Sequence, residues 1–249
     1  MVSQMSQALL ERHASDMHLG DRCVDRYADG RSLTSRRSQK AEALVEFVAR
    51  QYAGHTNLQV VDFGCADGAM PVLLLRSAVG AWFERVTGIT LLDYNDLPEK
   101  PAFKHPRFCR LIADLEGSLD SLDLPWGTCD LVLATAFLHY LRRPETAFRH
   151  AAKLLRPGGL LAASMPHPLL LRLRRRGLGT WLRPNNRIRH FEYPNWWRAV
   201  ANSCGFDELE RRAIQWCGLR RTAALERLLR RHVRAGSFGA NVLVVYRKR

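Results

Sequence analysis

The sequence has no apolar run that approaches the roughly 18–20 residues a membrane-spanning helix needs. Its first 25 residues are polar and carry both charge signs, without the apolar centre of a secretory signal peptide. These two absences predict a chain without a membrane span. We therefore expect a cytoplasmic bacterial enzyme.

Cysteine is present, but never as a CxxC pair. The six cysteines are scattered along the chain, at positions 23, 65, 109, 129, 204 and 217. A structural zinc site usually needs closely paired ligands, so the spacing gives a metal site little support. Cys109 and Cys129 stand in apolar contexts typical of buried thiols, and reduced cysteines agree with a cytoplasmic location.

Lysine is scarce, with 5 lysines against 33 arginines, and the positive charge is unevenly distributed. Residues 1–165 hold 19 basic and 19 acidic side chains, whereas residues 166–249 hold 19 basic and only 5 acidic ones. The whole net charge of +14 therefore lies in the last third of the chain. This excess indicates either an anionic partner or a solvated arginine-rich surface with no charged partner.

Short apolar runs alternate with amphipathic segments through the first two thirds of the chain. Predicted strands of this part cover residues 58–63, 85–90, 107–113, 129–135 and 160–165. Predicted helices include 69–79 and 144–156, the second beginning at a proline and followed by Pro157-Gly158-Gly159. Strands that alternate with helices predict a parallel sheet with right-handed crossovers.

The later part of the chain keeps fewer regular elements. We predict a helix over about residues 193–205, a strand near 207–216, a basic amphipathic helix over 222–234 and a last strand over 241–247. No internal repeat or low-complexity linker interrupts the chain. The pattern therefore favours a single domain.

A glycine-rich turn, Asp62-Phe-Gly64-Cys-Ala-Asp-Gly68, follows the first strand. Glycines allow the backbone to approach a ligand closely at a strand–turn–helix corner. Asp62, at the strand end, can orient the turn or accept a hydrogen bond from a ligand amine. By itself the motif also fits a plain tight turn or another type of nucleotide-binding loop.

This turn resembles the acidic-x-Gly-x-x-x-Gly loop of class I S-adenosylmethionine-dependent methyltransferases. It differs from the Gly-x-Gly-x-x-Gly dinucleotide loop, because residue 66 is Ala and Asp67 intervenes. Three further segments are similar to those of the family and follow in the same order: residues 112–115 with 124–134, residues 137–141, and residues 154–161. The resemblance covers about residues 40–165, more loosely 193–247, and is closest to the ubiquinone/menaquinone-biosynthesis type.

The resemblance implies an α/β fold: a doubly wound, Rossmann-like sheet of seven mostly parallel strands with an antiparallel last strand. Residues 1–38 would form an N-terminal helical arm or lid, and residues 39–165 the S-adenosylmethionine-binding core. Residues 166–249 would complete the same domain with arginine-rich insertions on the substrate side, over 166–192 and 217–240.

S-adenosylmethionine is the implied cofactor, with S-adenosylhomocysteine as its product. The resemblance places these residues beside the cofactor: Asp62, Gly64, Cys65, Ala66 and Gly68 in the loop; Thr90, Leu91 and Asp93 after strand two; Ala113, Asp114 and Leu115 after strand three; Ala134, Thr135 and Ala136 at the mouth of strand four; and Tyr27 in the arm.

Position 90 departs from the family pattern. The family normally has an acid there that binds both ribose hydroxyls, whereas Thr90 offers one hydroxyl contact. Asp93 is a substitute for that acid or a loop carboxylate that faces solvent. Tyr27 either stacks near the sulfonium through a cation–π contact or is a surface tyrosine of the arm.

Methyl transfer is an in-line displacement that depends mainly on proximity and alignment. A general base is needed only if the acceptor must lose a proton. His139, after strand four, and His167, between two prolines after strand five, are the candidate bases. The alternative for His139 is a packed histidine that only shapes the pocket. The alternative for His167 is a histidine whose neighbouring prolines serve a rigid loop. We expect His190 and His232 to be ordinary residues of the insertions.

Both arginine-rich insertions should border the active-site mouth, because ligands bind outside the carboxyl ends of parallel strands. The favoured acceptor is a small molecule that is either acidic or bound to an acidic carrier protein. Aromatic residues in and after the first insertion could form the walls around a flat or apolar acceptor. RNA bound through its phosphates and a membrane surface bound by the basic helix are alternatives. A family member that binds the cofactor without transferring methyl is a further alternative. No RNA-binding module is appended, which favours the small molecule.

Overall fold

The computed structural model describes residues 35–90, 105–168, 172, 189–190, 192, 194–215 and 241–249. The chain forms two compact units, residues 1–123 and residues 124–249. Within the described ranges, no helix combines the length and the apolar character that crossing a membrane would require.

The described residues contain seven strands and four α-helices whose bounds are defined. In chain order they are α1 (Ser35–Gln51), β1 (Leu58–Phe63), α2 (Ala69–Leu75), β2 (Phe83–Thr90), β3 (Phe108–Ile112), β4 (Cys129–Thr135), α3 (Pro144–Leu154), β5 (Leu155–Pro166), α4 (Pro194–Ser203), β6 (Phe206–Gln215) and β7 (Asn241–Lys248). Short 3₁₀ helices cover Gly80–Trp82 and Leu138–Tyr140.

The strands form one sheet in the order β3-β2-β1-β4-β5-β7-β6. The pairs β1–β2, β2–β3 and β4–β5 are parallel, and β7 runs antiparallel to both β5 and β6. The predicted α/β fold, with a mostly parallel sheet and an antiparallel last strand, is therefore confirmed.

In the first unit, α1 and β1 supply much of the core. Leu44, Phe47 and Val48 are buried along one side of α1, and this spacing is that of an amphipathic helix. Every residue of β1 except Gln59 is buried, because a parallel strand is covered on both faces. The buried continuous strand places the following turn at the carboxyl edge of the sheet.

In the second unit, an aromatic group lies between α3 and the last two strands. The ring of Phe148 is 5.7 Å from the ring of Tyr246 and 6.1 Å from that of Phe206, and both contacts are edge-on. Pro144 begins α3, where its missing N–H costs no helical hydrogen bond. These contacts fix the helix that follows the mouth of β4.

Most element boundaries lie within a few residues of the prediction, and two differ more clearly. The helix expected over residues 69–79 ends at Leu75, since a turn follows in which Gly80 N–H donates to the Ser77 carbonyl at 2.9 Å. Strand five begins at Leu155 rather than at residue 160, because Leu155 pairs with Cys129 and an irregularity takes up the intervening residues.

Several predicted elements fall outside the described residues. They are the arm before residue 35, the basic helix over residues 222–234, and most of the insertion over residues 166–192. The domain boundaries inferred from the sequence stay predictions.

Candidate functional site

The turn after β1 has an unusual backbone. Gly64, Ala66 and Gly68 all have positive φ, at 72°, 53° and 78°. The N–H groups of Gly64 and Cys65 both donate to the Ile89 carbonyl, at 2.8 and 3.2 Å. A non-glycine residue such as Ala66 adopts this conformation at a cost of about 1–2 kcal/mol, and such strain is concentrated at functional sites.

Asp62 is the buried carboxylic acid at the base of this turn. Its side chain is only 1% exposed, and Oδ1 finds no hydrogen-bond partner in the described part of the chain. Burial raises the pKa of Asp62 from 3.8 to about 8. A neutral carboxyl group that lacks a partner can accept a hydrogen bond from a cationic ligand and ionise as it does so.

The neighbouring side chains of the turn have structural contacts of their own. Asp67 Oδ1 accepts the N–H of Ala69 at 3.2 Å, at the start of α2. Burial, and next the charge of Asp62, raise the pKa of the buried Cys65 thiol. Cys65 is therefore a packed, neutral side chain.

The ends of β2 and β3 lie at the same edge of the sheet as this turn. Asp62 pairs with Gly88 of β2, and Ala113 N–H donates to the Thr90 carbonyl at 2.9 Å. Asp114 Oδ1 accepts the N–H of Glu116 at 2.8 Å, and Leu115 is buried. The first unit thus brings together the predicted residues from the ends of its three parallel strands. Tyr27, Leu91 and Asp93 lie outside the described residues.

The mouth of β4, in the second unit, is also strained. Ala136 has a φ of 52°, and its N–H donates to both the carbonyl and the hydroxyl Oγ of Ser164, each at 2.9 Å. Ala134 is buried, and Thr135 Oγ1 is buried without a hydrogen-bond partner among the described residues. Ser164 was not predicted as a site residue, although a serine within the apolar strand Leu160–Met165 was a usable signal.

His139 is buried in the 3₁₀ helix after β4, with 2% of its surface exposed. Its ring lies 4.1 Å from that of Tyr140, and its carbonyl accepts the N–H groups of Arg189 and His190 at 2.9 and 3.2 Å. The His190 ring in turn stacks on Trp196, with centroids 5.3 Å apart. The end of the first insertion is thereby attached to this helix.

His167 lies after β5 and lines a small cavity. The other residues around this cavity are Met165, Pro166, Pro168, Glu192, Trp197, Val242 and Val244. Its volume of about 10 Å³ is enough for one water molecule. The part of this cavity that the described residues enclose is smaller than a usual ligand pocket, which measures about 300–1,000 Å³.

The strand order and the turn after β1 define a class I methyltransferase domain. Residues 33–210, more than half of the chain, match the family model described as "Methyltransferase domain". The chain therefore belongs to this family of S-adenosylmethionine-dependent methyltransferases.

A curated relative is the malonyl-[acyl-carrier protein] O-methyltransferase of Bacteroides fragilis, which is 30% identical over 131 residues. The match covers 51% of this chain and 24% of that protein, so the chain spans about a quarter of the length of this relative.

Solved methyltransferases share the fold. A S-adenosylmethionine-dependent methyltransferase from Mesorhizobium loti has a TM-score of 0.58 at 20% identity, with 86% of this chain and 99% of that chain covered. The 1,6-didemethyltoxoflavin-N1-methyltransferase of Burkholderia thailandensis, solved with bound 1,6-didemethyltoxoflavin and S-adenosylhomocysteine, has a TM-score of 0.56 at 16% identity, with 92% of this chain and 86% of that chain covered.

The residues of the first unit fit the family's cofactor. S-adenosylmethionine carries an ammonium group and a sulfonium, and a buried carboxyl group without a partner for Oδ1 suits a cation. The turn has positive φ and a glycine at each end, which allows the close backbone approach that a ligand at this edge requires.

Proposed function

We propose that this chain transfers the methyl group of S-adenosylmethionine to a small-molecule acceptor. The observation that carries the proposal is Asp62: a fully buried carboxyl group whose Oδ1 lacks a partner, at the base of a strained turn. A folded protein stabilises such a group poorly by itself. A cationic ligand at the turn would supply the missing partner.

The cofactor supplies a methyl group already activated on a positively charged sulfur. The protein then has to bind and align, since in-line displacement depends on proximity and orientation. Gly64 to Gly68 and Asp62 would hold the amino-acid part of the cofactor, and Ala113 to Leu115 would lie beside the adenine. Thr90, with one hydroxyl, would make a single ribose contact.

Two features support an acidic or carrier-bound acceptor. The relative from Bacteroides fragilis is named for a malonyl group on acyl-carrier protein, which is an acidic group on a protein carrier. Residues 166–249 of this chain also hold the whole excess of basic side chains. Positive charge near the acceptor side would attract such a substrate.

Aromatic side chains support a flat group on the acceptor. His190 stacks on Trp196 with an angle of 22° between the ring planes, and Trp197 meets Trp196 edge-on at 4.9 Å. Stacked rings of this kind form walls that suit planar ligands.

A proton must leave only if the acceptor atom carries one. His139 and His167 are the candidate bases, and His167 is the more exposed of the two. An acceptor that reacts as a carboxylate needs neither, and the two histidines would then only shape their surroundings.

Calorimetry tests cofactor binding directly. We expect the protein to bind S-adenosylmethionine and S-adenosylhomocysteine, and Asp62→Ala to abolish both. Asp123→Ala, which removes an exposed carboxylate of the same unit, serves as the matched control and should bind normally. Unchanged affinity in Asp62→Ala would overturn the assignment of the site.

Transfer of a labelled methyl group tests the reaction. The acceptors to compare are a malonyl thioester on acyl-carrier protein, the corresponding free acid and a neutral ester. We expect label on one of the two acidic acceptors. Cofactor binding without transfer to any acceptor would contradict the transferase and favour a family member that only binds the cofactor.

A further inference from the structure

We propose that Phe108 is a positioning residue whose ring holds the turn Gly64–Gly68 in its ligand-binding conformation. This inference rests on the proposed function, because it assigns the turn to the cofactor. Phe108 is the first residue of β3. It belongs neither to the glycine-rich turn nor to the predicted cofactor residues at the carboxyl ends of the strands, and it is not a candidate base.

The ring lies between two glycines from different elements. A Cβ on Gly68 would lie 2.5 Å from Phe108 Cε1 and 2.9 Å from Cζ. A Cβ on Gly88 of β2 would lie 2.9 Å from Phe108 Cε2. One edge of the ring therefore contacts the end of the turn, and the other edge contacts the strand behind it.

Cys65 packs against the same strand glycine. A Cβ on Gly88 would lie 2.5 Å from Cys65 Sγ and 2.8 Å from Cys65 Cβ. The absence of a side chain at Gly88 thus makes room for two side chains, one from the turn and one from β3. Both sit on the sheet directly beside Asp62, which pairs with Gly88.

Among the described residues, backbone hydrogen bonds attach the start of the turn, but not its end, to the sheet. Gly64 and Cys65 donate to Ile89, whereas Gly68 N–H donates within the turn, to Cys65 at 2.9 Å. At the end of the turn it is the ring of Phe108 that meets Gly68, whose φ is 78°. A smaller side chain at position 108 would leave a gap beneath this glycine and free the turn to adopt other conformations.

Phe108 carries no polar atom, so it takes no part in proton or methyl transfer. We therefore expect its loss to raise the KM for the cofactor and to leave kcat at saturating cofactor unchanged within about twofold. In Phe108→Ala the Kd for S-adenosylmethionine should rise about tenfold, because binding must then order the turn. Phe108→Leu should recover most of the affinity.

The matched control is Leu111→Ala on the same strand. Leu111 is half-buried, as Phe108 is, but it points to the opposite face of the sheet. Leu111→Ala should lower the melting temperature without changing the Kd for S-adenosylmethionine. Amide hydrogen exchange, measured without cofactor, should speed up at residues 64–68 in Phe108→Ala and not in Leu111→Ala.

A double-mutant cycle isolates the ring contact from backbone strain. Gly68→Ala adds both a methyl group against the ring and the cost of positive φ, whereas Gly158→Ala, at φ 74° with no atom near, adds only that cost. Gly68→Ala should weaken cofactor binding much less in the Phe108→Ala background than in the native one. Gly158→Ala and Phe108→Ala should be additive in their effect on stability.

The outcomes separate the two claims. A native protein that binds neither S-adenosylmethionine nor S-adenosylhomocysteine contradicts the proposed function. A native protein that binds the cofactor, together with a folded Phe108→Ala or Phe108→Leu of unchanged Kd and unchanged exchange at residues 64–68, contradicts the role of Phe108 alone. Equal losses of affinity in Phe108→Ala and Leu111→Ala would also overturn it.

Discussion

The N–H group of Ala136 donates to two oxygens of Ser164 at once, the carbonyl and the hydroxyl Oγ, each at 2.9 Å. Ala136 is one of three non-glycine residues with positive φ in the described part of the chain. Ser164, on β5, therefore holds the strained mouth of β4 from a position 28 residues away. The cost of the strained backbone is offset by a bond from the neighbouring strand.

Ser164→Ala removes one of these two acceptors. We expect the free energy of unfolding to fall by about 1 kcal/mol, and amide exchange at Ala136 to speed up, since a buried hydrogen bond is lost while the carbonyl bond stays. Ser203→Ala is the control, since Ser203 is exposed and its hydroxyl donates to the Val200 carbonyl at 2.8 Å. It should cost less than Ser164→Ala and leave exchange at Ala136 unchanged. Equal exchange in the two variants would refute this role of Ser164.

Asp62 makes the stability of the cofactor-free protein depend on pH. Its pKa is about 8 in the folded state and close to 3.8 in the unfolded state, so the folded protein holds an extra proton between these values. Stability should therefore be greatest below about pH 4 as far as this group is concerned, and fall by at most about 1.4 kcal/mol per pH unit until about pH 8.

Asp62→Asn removes this titration. Its melting temperature should change less between pH 5 and pH 8 than that of the native protein, and the difference between the two should shift in favour of the variant as the pH rises. Parallel curves would contradict the buried, proton-binding carboxyl group. A cationic cofactor favours the ionised carboxylate, so its affinity should increase with pH up to about 8.

Gly80, in the turn after α2, packs against backbone atoms and not against a flexible side chain. A Cβ at this position would lie 2.0 Å from the Leu75 carbonyl oxygen. We expect Gly80→Ala to destabilise the protein by about 3 kcal/mol or more, because the clash forces the chain to move. Gly54→Ala, with positive φ and no atom within 4 Å, should cost only about 1 kcal/mol. Denaturant unfolding compares the two, and similar losses would contradict the described turn.

The salt dependence of binding tests which partner the arginine excess of residues 166–249 attracts. If the acceptor is a small molecule, RNA should not be retained by the protein in filter binding even at low salt. Tight binding of RNA that weakens steeply with salt would instead favour an RNA methyltransferase, because phosphate contacts release counterions. A carrier protein of high negative charge, tested in the same way, is the positive comparison.

The sequence predicted the limits of some strands to the exact residue, but not those of others. β1 and β4 have the predicted limits, since buried parallel strands are continuous apolar runs bounded by turn residues. The start of β5 at Leu155 could not be predicted, because it depends on pairing with Cys129 of another strand. Local patterns carry no information about such a partner.

By itself, the sequence determined the class of protein: the alternation of strands and helices, the turn Asp62–Gly68 and the ordered family segments all identify a methyltransferase domain. These features are local, so they can be read residue by residue. Only the tertiary structure decided that Asp62 is buried with no partner for its Oδ1 among the described residues, that Phe108 fills the space between Gly68 and Gly88, and that Ser164 holds Ala136. Desolvation and packing arise from groups far apart in the chain, and therefore appear only when the strands are side by side.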